Sequence, residues 1–522
     1  MPSPGPSLRQ PPRGSAALSV VLLFFLISCL GLGLVLFAAG SLRMAQARRD
    51  ALCLESAAEA GVKRALAGLV AWEASSPSEP EALSEEAEAA LRADAAAGGI
   101  LAAEEAMGIS LPINSEGALD ALSWTASAAC YPERRRETDT RLQADFLLSI
   151  DAIGRMTGRP PEAAAGLDLG LRVLAGRPPL AYFPLLLAGP EANEAAAALL
   201  EDGRLSLAPG RVRSLAPRGR VTPRPLIPRD ASPLMAEALK ARFLEPGSIR
   251  LDLLRQALGL PAVDEPVPDG VYLVRSEAGP GGVFVQGDLE ALLLAVDGDR
   301  QVIGFESSSG SWRLSFRPGL GPLEFTTPQG SVQDPQPPLG IILVNGLIGS
   351  LTTAEAESDG SLTPAPSSGL PCLRDGLALT IVSSRETVIG SDLLHEGVRW
   401  AESIPYLRDR QSQLVVYSSG RDLATGAETE AGITIGAQAP SCVRIQASLS
   451  TAGGFSVAGG AKNVIVSGGI QAGSVRPGAS RVTIAPDDRL TEGLLAPAPG
   501  PAAAESVLIV LSLAPRAWRE GR

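Results

Sequence analysis

A chain of 522 residues, 45% of them hydrophobic, has room for two to four domains and a sizeable buried core. Its formal net charge of −12 and pI near 4.9 exclude the basic footprint that a nucleic-acid partner requires. Five cysteines, an odd number with no C-x-x-C pair, exclude a zinc ribbon and a dense disulfide framework.

The first predicted element is one long helix. No residue between Arg13 and Arg43 is charged, and residues 15–40 read SAALSVVLLFFLISCLGLGLVLFAAG. That run exceeds the roughly 20 apolar residues needed to cross a bilayer as a helix. It is also longer than the apolar region of a secretory signal, about 7–15 residues. Residues 42–70 contain no proline, and Leu54, Ala58, Gly61, Ala65 and Leu69 recur on one face at helical spacing. Glu59 precedes Lys63 by four residues, the favourable order for a helical ion pair. A helix from Ser15 to about Trp72 is roughly 85–90 Å long, with its first half in lipid and its second half outside.

Residues 75–265 read as a mixed helical and α+β region. Ala- and Glu-rich stretches at 79–97, 191–201 and 236–257 suit helices, and the partial alternation over 141–153 suits a strand. Proline-rich pieces at 176–180 and 217–233 are connectors. From 266 to 522 the chain turns β-rich. Gly (56) and Pro (43) make roughly a fifth of all residues, against about 12% on average, which suits a turn-dense architecture. Expected strands lie at 271–275, 283–286, 292–296, 301–305, 312–316 and 323–326, then 340–344, 377–382, 387–389 and 414–417. Further strands follow at 432–435, 443–447, 454–457, 463–466 and 482–484, and an apolar strand at 506–513. The stretches VRIQASLSTAGGFSVAG, AKNVIVSGGIQAG and SRVTIAP place short Val/Ile strands at intervals of roughly 18–20 residues, which points to a β-solenoid of the right-handed β-helix kind. A sandwich or an irregular sheet is the alternative. The expected class is therefore α+β, divided into a leader (1–14), a membrane-spanning and pilin-like helix (15–74), a mixed region (75–265) and a β-rich domain (266–522).

The amino-terminal part resembles PilX-type minor pilins of type IV pilus and related assembly systems. The resemblance rests on the short leader ending in Arg13-Gly14, the apolar stretch from Ser15, the segment Arg43-Met44-Ala45-Gln46-Ala47-Arg48-Arg49, and Ala57-Ala58-Glu59-Ala60-Gly61. It implies cleavage by a prepilin peptidase between Gly14 and Ser15, and a helix that passes from the membrane into a filament core. Gly31, Gly33 and Gly40 would allow close helix approach there, and Glu59 belongs to the resembling segment. Ser19 stands where many major pilins carry a glutamate. The β-rich half is similar to the domain that follows such anchors in some large bacterial envelope proteins, a family without established catalytic activity. Arg9 and Arg13 precede the span while Arg43, Arg48 and Arg49 follow it, so a literal charge count would keep the bulk of the chain in the cytoplasm. Long domains translocate largely regardless of charge, and the resemblance implies export. A signal-peptidase cut after Ala38-Ala39-Gly40 and a plain uncleaved anchor remain as alternatives.

Candidate chemistry is sparse. The single histidine, His395, cannot supply a multi-histidine zinc set and lacks a G-x-S-x-G elbow, so it reads as a surface or loop residue. Asp297/Asp299 in VDGDRQV and Asp487/Asp488 after Pro486 are the acidic pairs a polysaccharide-active enzyme could use, but both sit in turn-like contexts. A Cys372–Cys442 bridge is open in an oxidising compartment. No catalytic, cofactor-binding or metal residue is expected, and no cofactor. The expected function is that of a non-enzymatic, single-pass, membrane-anchored bacterial envelope protein, its ectodomain in the periplasm or at the cell surface. The membrane, other pilin-like chains and assembly machinery would be its partners. A membrane-tethered β-solenoid enzyme acting on polysaccharide and a polymerising β-solenoid scaffold are the rival readings.

Overall fold

The computed structural model describes residues 15–75, 81–82, 115–119, 122–138, 141–156, 159–176, 180–182, 185–187, 190–207, 254–256, 258–260, 267–274, 282–335, 340–366, 369–401, 404–407, 410–491 and 507–520. Gly14 and the leader, the connector at 217–233 and nearly all of the expected helices at 79–97 and 236–257 lie outside them.

The helix α1 runs unbroken from Ser15–Ser75, 61 residues. Its second half lies on a six-stranded sheet in which every neighbouring pair is antiparallel. In spatial order the strands are Glu81–Ala82, Val507–Glu520, Arg159–Gly176, Arg141–Met156, Leu122–Thr138 and Ser115–Leu119. The helix crosses the three long central strands at 122–138, 141–156 and 159–176. Side chains alternate across a strand, so Ile150 and Ala152 face α1 together, with Ala126, Ala165 and Leu167 on their cross-strand neighbours. The helix answers with Leu54, Ala57, Ala58, Val62 and Ala65, all buried. Small residues on both surfaces let the two backbones come close.

The strand Val507–Glu520, at the end of the expected 266–522 region, joins the first sheet. It pairs with Arg159–Gly176, as far as Glu520 opposite Ala165. Everything from about 180 to 491 is therefore an insertion between two adjacent strands of the first sheet. Within the expected helix at 79–97, Glu81–Ala82 is instead a short strand, because it finds an antiparallel partner at Val507 and Leu508.

The inserted body is organised by three parallel ladders. One runs Gly282–Gln286, Ile341–Asn345, Ala378–Ser383, Gln413–Ser418, then residues 448–451 of Cys442–Val457, residues 470–472 of Asn463–Arg476, and Leu185–Leu187. A second joins Ala291–Asp297, Ile348–Ala356, Thr387–Ile389, Gly432–Ile435 and the far ends of the two long strands. A third joins Pro371–Leu373 to Leu394–His395, and separately stacks the near ends of those long strands with Arg481–Pro486 and Leu205–Leu207. A bridge between Leu393 and Ile445 links its two parts. Cys442–Val457 and Asn463–Arg476 each take part in all three ladders. One hydrophobic core collects inward residues from every ladder, including Val285, Leu294, Ile342, Leu373, Ile381, Val416, Ile433, Ile445, Val466 and Ile484.

Two additions close this body. The helix α2, Pro190–Glu201, sits between Leu185–Leu187 and Leu205–Leu207 and contributes Ala196 and Leu199 to the same core. At the other side an antiparallel meander grows from Ala291–Asp297 through Arg300–Ser307, Gly310–Arg317, Leu320–Thr327 and Gly330–Asp334. Its first turn is the expected tight one: Asp297 pairs with Arg300, and Gly298 takes a φ of 57°. Side chains rarely tolerate that conformation, and glycine does.

Candidate functional site

Helix α1 divides at about Leu52. From Leu18 to Phe37 its apolar side chains are exposed, with Phe24 and Phe25 each at 69%, whereas Leu54 and Ala58 beneath the sheet are at 3% and 0%. It is the one helix among the described residues that is long and apolar enough to cross a membrane. Among the described residues nothing covers that apolar surface, and leaving it in water would forgo roughly 25 cal/mol for each Å² that could be covered.

Gly154 seats the packed half. A Cβ there would overlap the Leu54 carbonyl oxygen and come within 2.8 Å of the Ala58 nitrogen. The glycine therefore sets how near helix and sheet can lie. The helical spacing exposed the Leu54 face, but nothing in the sequence marked Gly154 as its counterpart, because a strand glycine is equally compatible with a bulge.

The residues singled out for assembly fall on α1 as follows. Ser15 opens the helix. Gly31, Gly33 and Gly40 lie on its bare half, with no heavy atom within 4 Å of the place a Cβ would occupy. Glu59 lies on the packed half and accepts a hydrogen bond from Lys63 Nζ at 3.1 Å, the expected i,i+4 pair. Arg43, Arg48 and Arg49 follow the apolar run directly, all exposed.

In the inserted body the structure corrects the expectation for His395. It lies in a strand, 4% exposed, on the third ladder. Its backbone N–H donates to Gln446 Oε1, and its Nδ1 lies 3.1 Å from Ser412 Oγ. Desolvation, with the positive charge of Arg489 adding to it, pushes its pKa down to about 4. Arg489 is itself buried and forked onto Asp487, at 2.6 Å and 2.9 Å, while its Nη1 donates to the carbonyls of Arg410 and Ser412. Asp487 lies in the loop expected after Pro486, with its side chain largely covered as the counter-ion of Arg489. No local pattern marks this pairing, since Arg489 looks like any surface arginine beside a turn.

Ser412 beside His395 has the outline of a nucleophile and base, but Ser412 is 0% exposed. The adjoining cavity of about 20 Å³, lined by His395, Gln446, Ser467 and Arg489, has room for about one water and none for a substrate. Asp297 and Asp299 are engaged in structure, and the side chain of Asp488 lies outside the described residues. Asp297 ends its strand at the hairpin turn, and Asp299 pairs with Arg317 at 2.8 Å. Cys372 is buried, its thiol pushed up to about 12 by desolvation, and Cys442 is exposed; both are free thiols, so the two are not bridged. No group of three or more His, Cys, Asp or Glu among the described residues could hold a metal ion.

Gln301 is a structural residue the sequence reading missed. It is fully buried, and its Nε2 donates to the carbonyls of Ala295 and Cys372 while its Oε1 accepts from the Arg374 N–H, tying the meander to the third ladder. Comparison with protein-family models, curated proteins and solved structures finds no match to this chain.

Proposed function

We propose that this chain is a non-enzymatic, single-pass envelope protein of pilin-like build, a component of a type IV pilus or related assembly that displays a large β-rich body. The observation that carries the reading is the division of one continuous helix into a bare apolar half and a half packed on an antiparallel sheet. Such a helix can exchange lipid for neighbouring helices without disturbing its own domain, because the side chains it buries among the described residues, from Leu54 to Ala65, lie beyond the bare half. The glycines at 31, 33 and 40 leave its surface notched, which favours close helix approach.

For the inserted body the reading is a short β-solenoid. It is supported by three parallel ladders around a shared core and by two strands that run through all three. The register advances by 21 residues from Cys442 to Asn463 and by 18 from Asn463 to Arg481, close to the expected spacing. A display role fits an interior given over to packing, with the lone histidine buried and Asp297, Asp299 and Asp487 committed to a turn and to ion pairs.

The anchoring part is tested by cell fractionation. The full chain should remain in the membrane pellet after an alkaline wash, and a variant lacking residues 15–40 should appear in the supernatant. A deletion variant still in the pellet would contradict it. Protease added to intact cells, and to cells with a permeabilised outer layer, should reach the β-rich body; protection until the inner membrane is broken would place that body in the cytoplasm and contradict the export reading.

A further inference from the structure

One face of α1 carries an outer hollow and an inner apolar patch in line. The hollow, about 680 Å³, lies where the helix leaves the sheet and is lined by Met44, Arg48, Arg49 and Leu52 of α1 together with Leu122 of the sheet. The inner one is an open patch of the helix surface lined by Leu26, Leu30, Gly33 and Phe37. Positions 30, 33, 37, 41, 44, 48 and 52 advance by three or four residues, so hollow and patch share a helix face.

Neither Arg48 nor Arg49 has an acidic partner among the described residues, and both are exposed. Arg48 lies eight residues beyond Gly40, about 12 Å along the axis at 1.5 Å per residue. Helical side chains lean toward the N-terminus, so both guanidiniums reach back toward the membrane surface. Two cations, apolar residues beside them and an apolar patch further along the same face match one kind of molecule, with an anionic head and acyl tails. We propose that this face of α1 binds an anionic phospholipid, the phosphate held between Arg48 and Arg49 and one acyl chain lying on the Leu30–Gly33–Phe37 patch. Guanidinium suits this task because its planar fork binds phosphate oxygens in pairs. The proposal rests on the membrane-anchored reading above.

The test uses the full chain reconstituted into phosphatidylcholine vesicles containing a minor fraction of phosphatidylglycerol. After flotation and gentle detergent exchange, mass spectrometry measures the two lipids that stay with the protein. The wild type should retain phosphatidylglycerol well above its bulk fraction. The double variant Arg48→Gln/Arg49→Gln should lose about thirtyfold of that preference, about fivefold for each cation near an anionic surface. Arg64→Gln, an exposed arginine further along the helix, should keep it. A wild type without preference, or a double variant that retains it, would overturn the proposal while flotation still upheld the anchor. Efficient cross-linking of two copies through Cys29, in the inner patch, without lipid preference would overturn it in favour of a second copy on this face. Protein that fails to float with the vesicles would overturn the anchored reading and this proposal with it.

Discussion

Gly154 is a single missing side chain on which the contact between helix and sheet depends. Gly154→Leu places carbon where the Leu54 carbonyl and the Ala58 nitrogen now lie. Overpacking of this kind costs about 1–3 kcal/mol, and more where backbone must move. Thermal unfolding of the detergent-solubilised chain should show the sheet melting earlier, with the ladder body unchanged. His395 offers a second test at this scale, because it is the only histidine in the chain. Burial, and then the charge of Arg489, hold its pKa at about 4, below the ordinary 6.5 of the unfolded chain. Between those values the unfolded chain takes up a proton that the folded chain refuses. Its contribution is therefore complete above about pH 6.5 and is lost as pH falls toward about 4, by about 3 kcal/mol in all. Denaturant titrations from pH 7 to pH 5 should show that slope, and His395→Asn should flatten it. An unchanged slope in the variant would contradict the burial.

At the scale of elements, much of the chain could be read from pattern alone. The Leu54, Ala58, Gly61, Ala65 face of α1 is the buried one. The strands expected at 387–389 and 432–435 are Thr387–Ile389 and Gly432–Ile435, and most others differ only by a residue or two at their ends. These successes have a common cause, since alternation and helical spacing are imposed by the nearest partner surface. What pattern did not reveal was pairing across distance. The strands at 443–447 and 454–457 are one strand, because the chain bends between ladders without a turn. Ile348–Ala356 was missed, since its Gly, Ser and Thr residues soften the alternation. The buried polar residues Gln301, Arg489 and Gln471 were invisible as such, because their partners lie on other elements. The partner of Val507–Glu520 lies more than 300 residues earlier, and no local signal specifies it. Truncation after residue 506 should therefore damage the first sheet and not the last one. Limited proteolysis should then degrade the helix-and-sheet body while a fragment spanning about 180–491 stays protected; loss of that fragment would contradict the division into two bodies.

For the whole molecule, the architecture joins an apolar rod to a sheet and inserts a large β body between two neighbouring strands of that sheet. Both connections to the inserted body leave from the sheet, so the body can be carried without its core touching the bare half of α1. The proposed carrying function therefore depends on that bare half being kept in the mature protein. The measurement that bears on this most directly is the N-terminus of the protein recovered from the membrane fraction, read by mass spectrometry. The account predicts a mature chain that begins at Ser15, with the polar leader through Gly14 removed and the entire apolar helix retained. A mature chain beginning at Ser41 would have lost the helix and would contradict the account; one retaining Met1 or Pro2 would contradict its pilin-like processing.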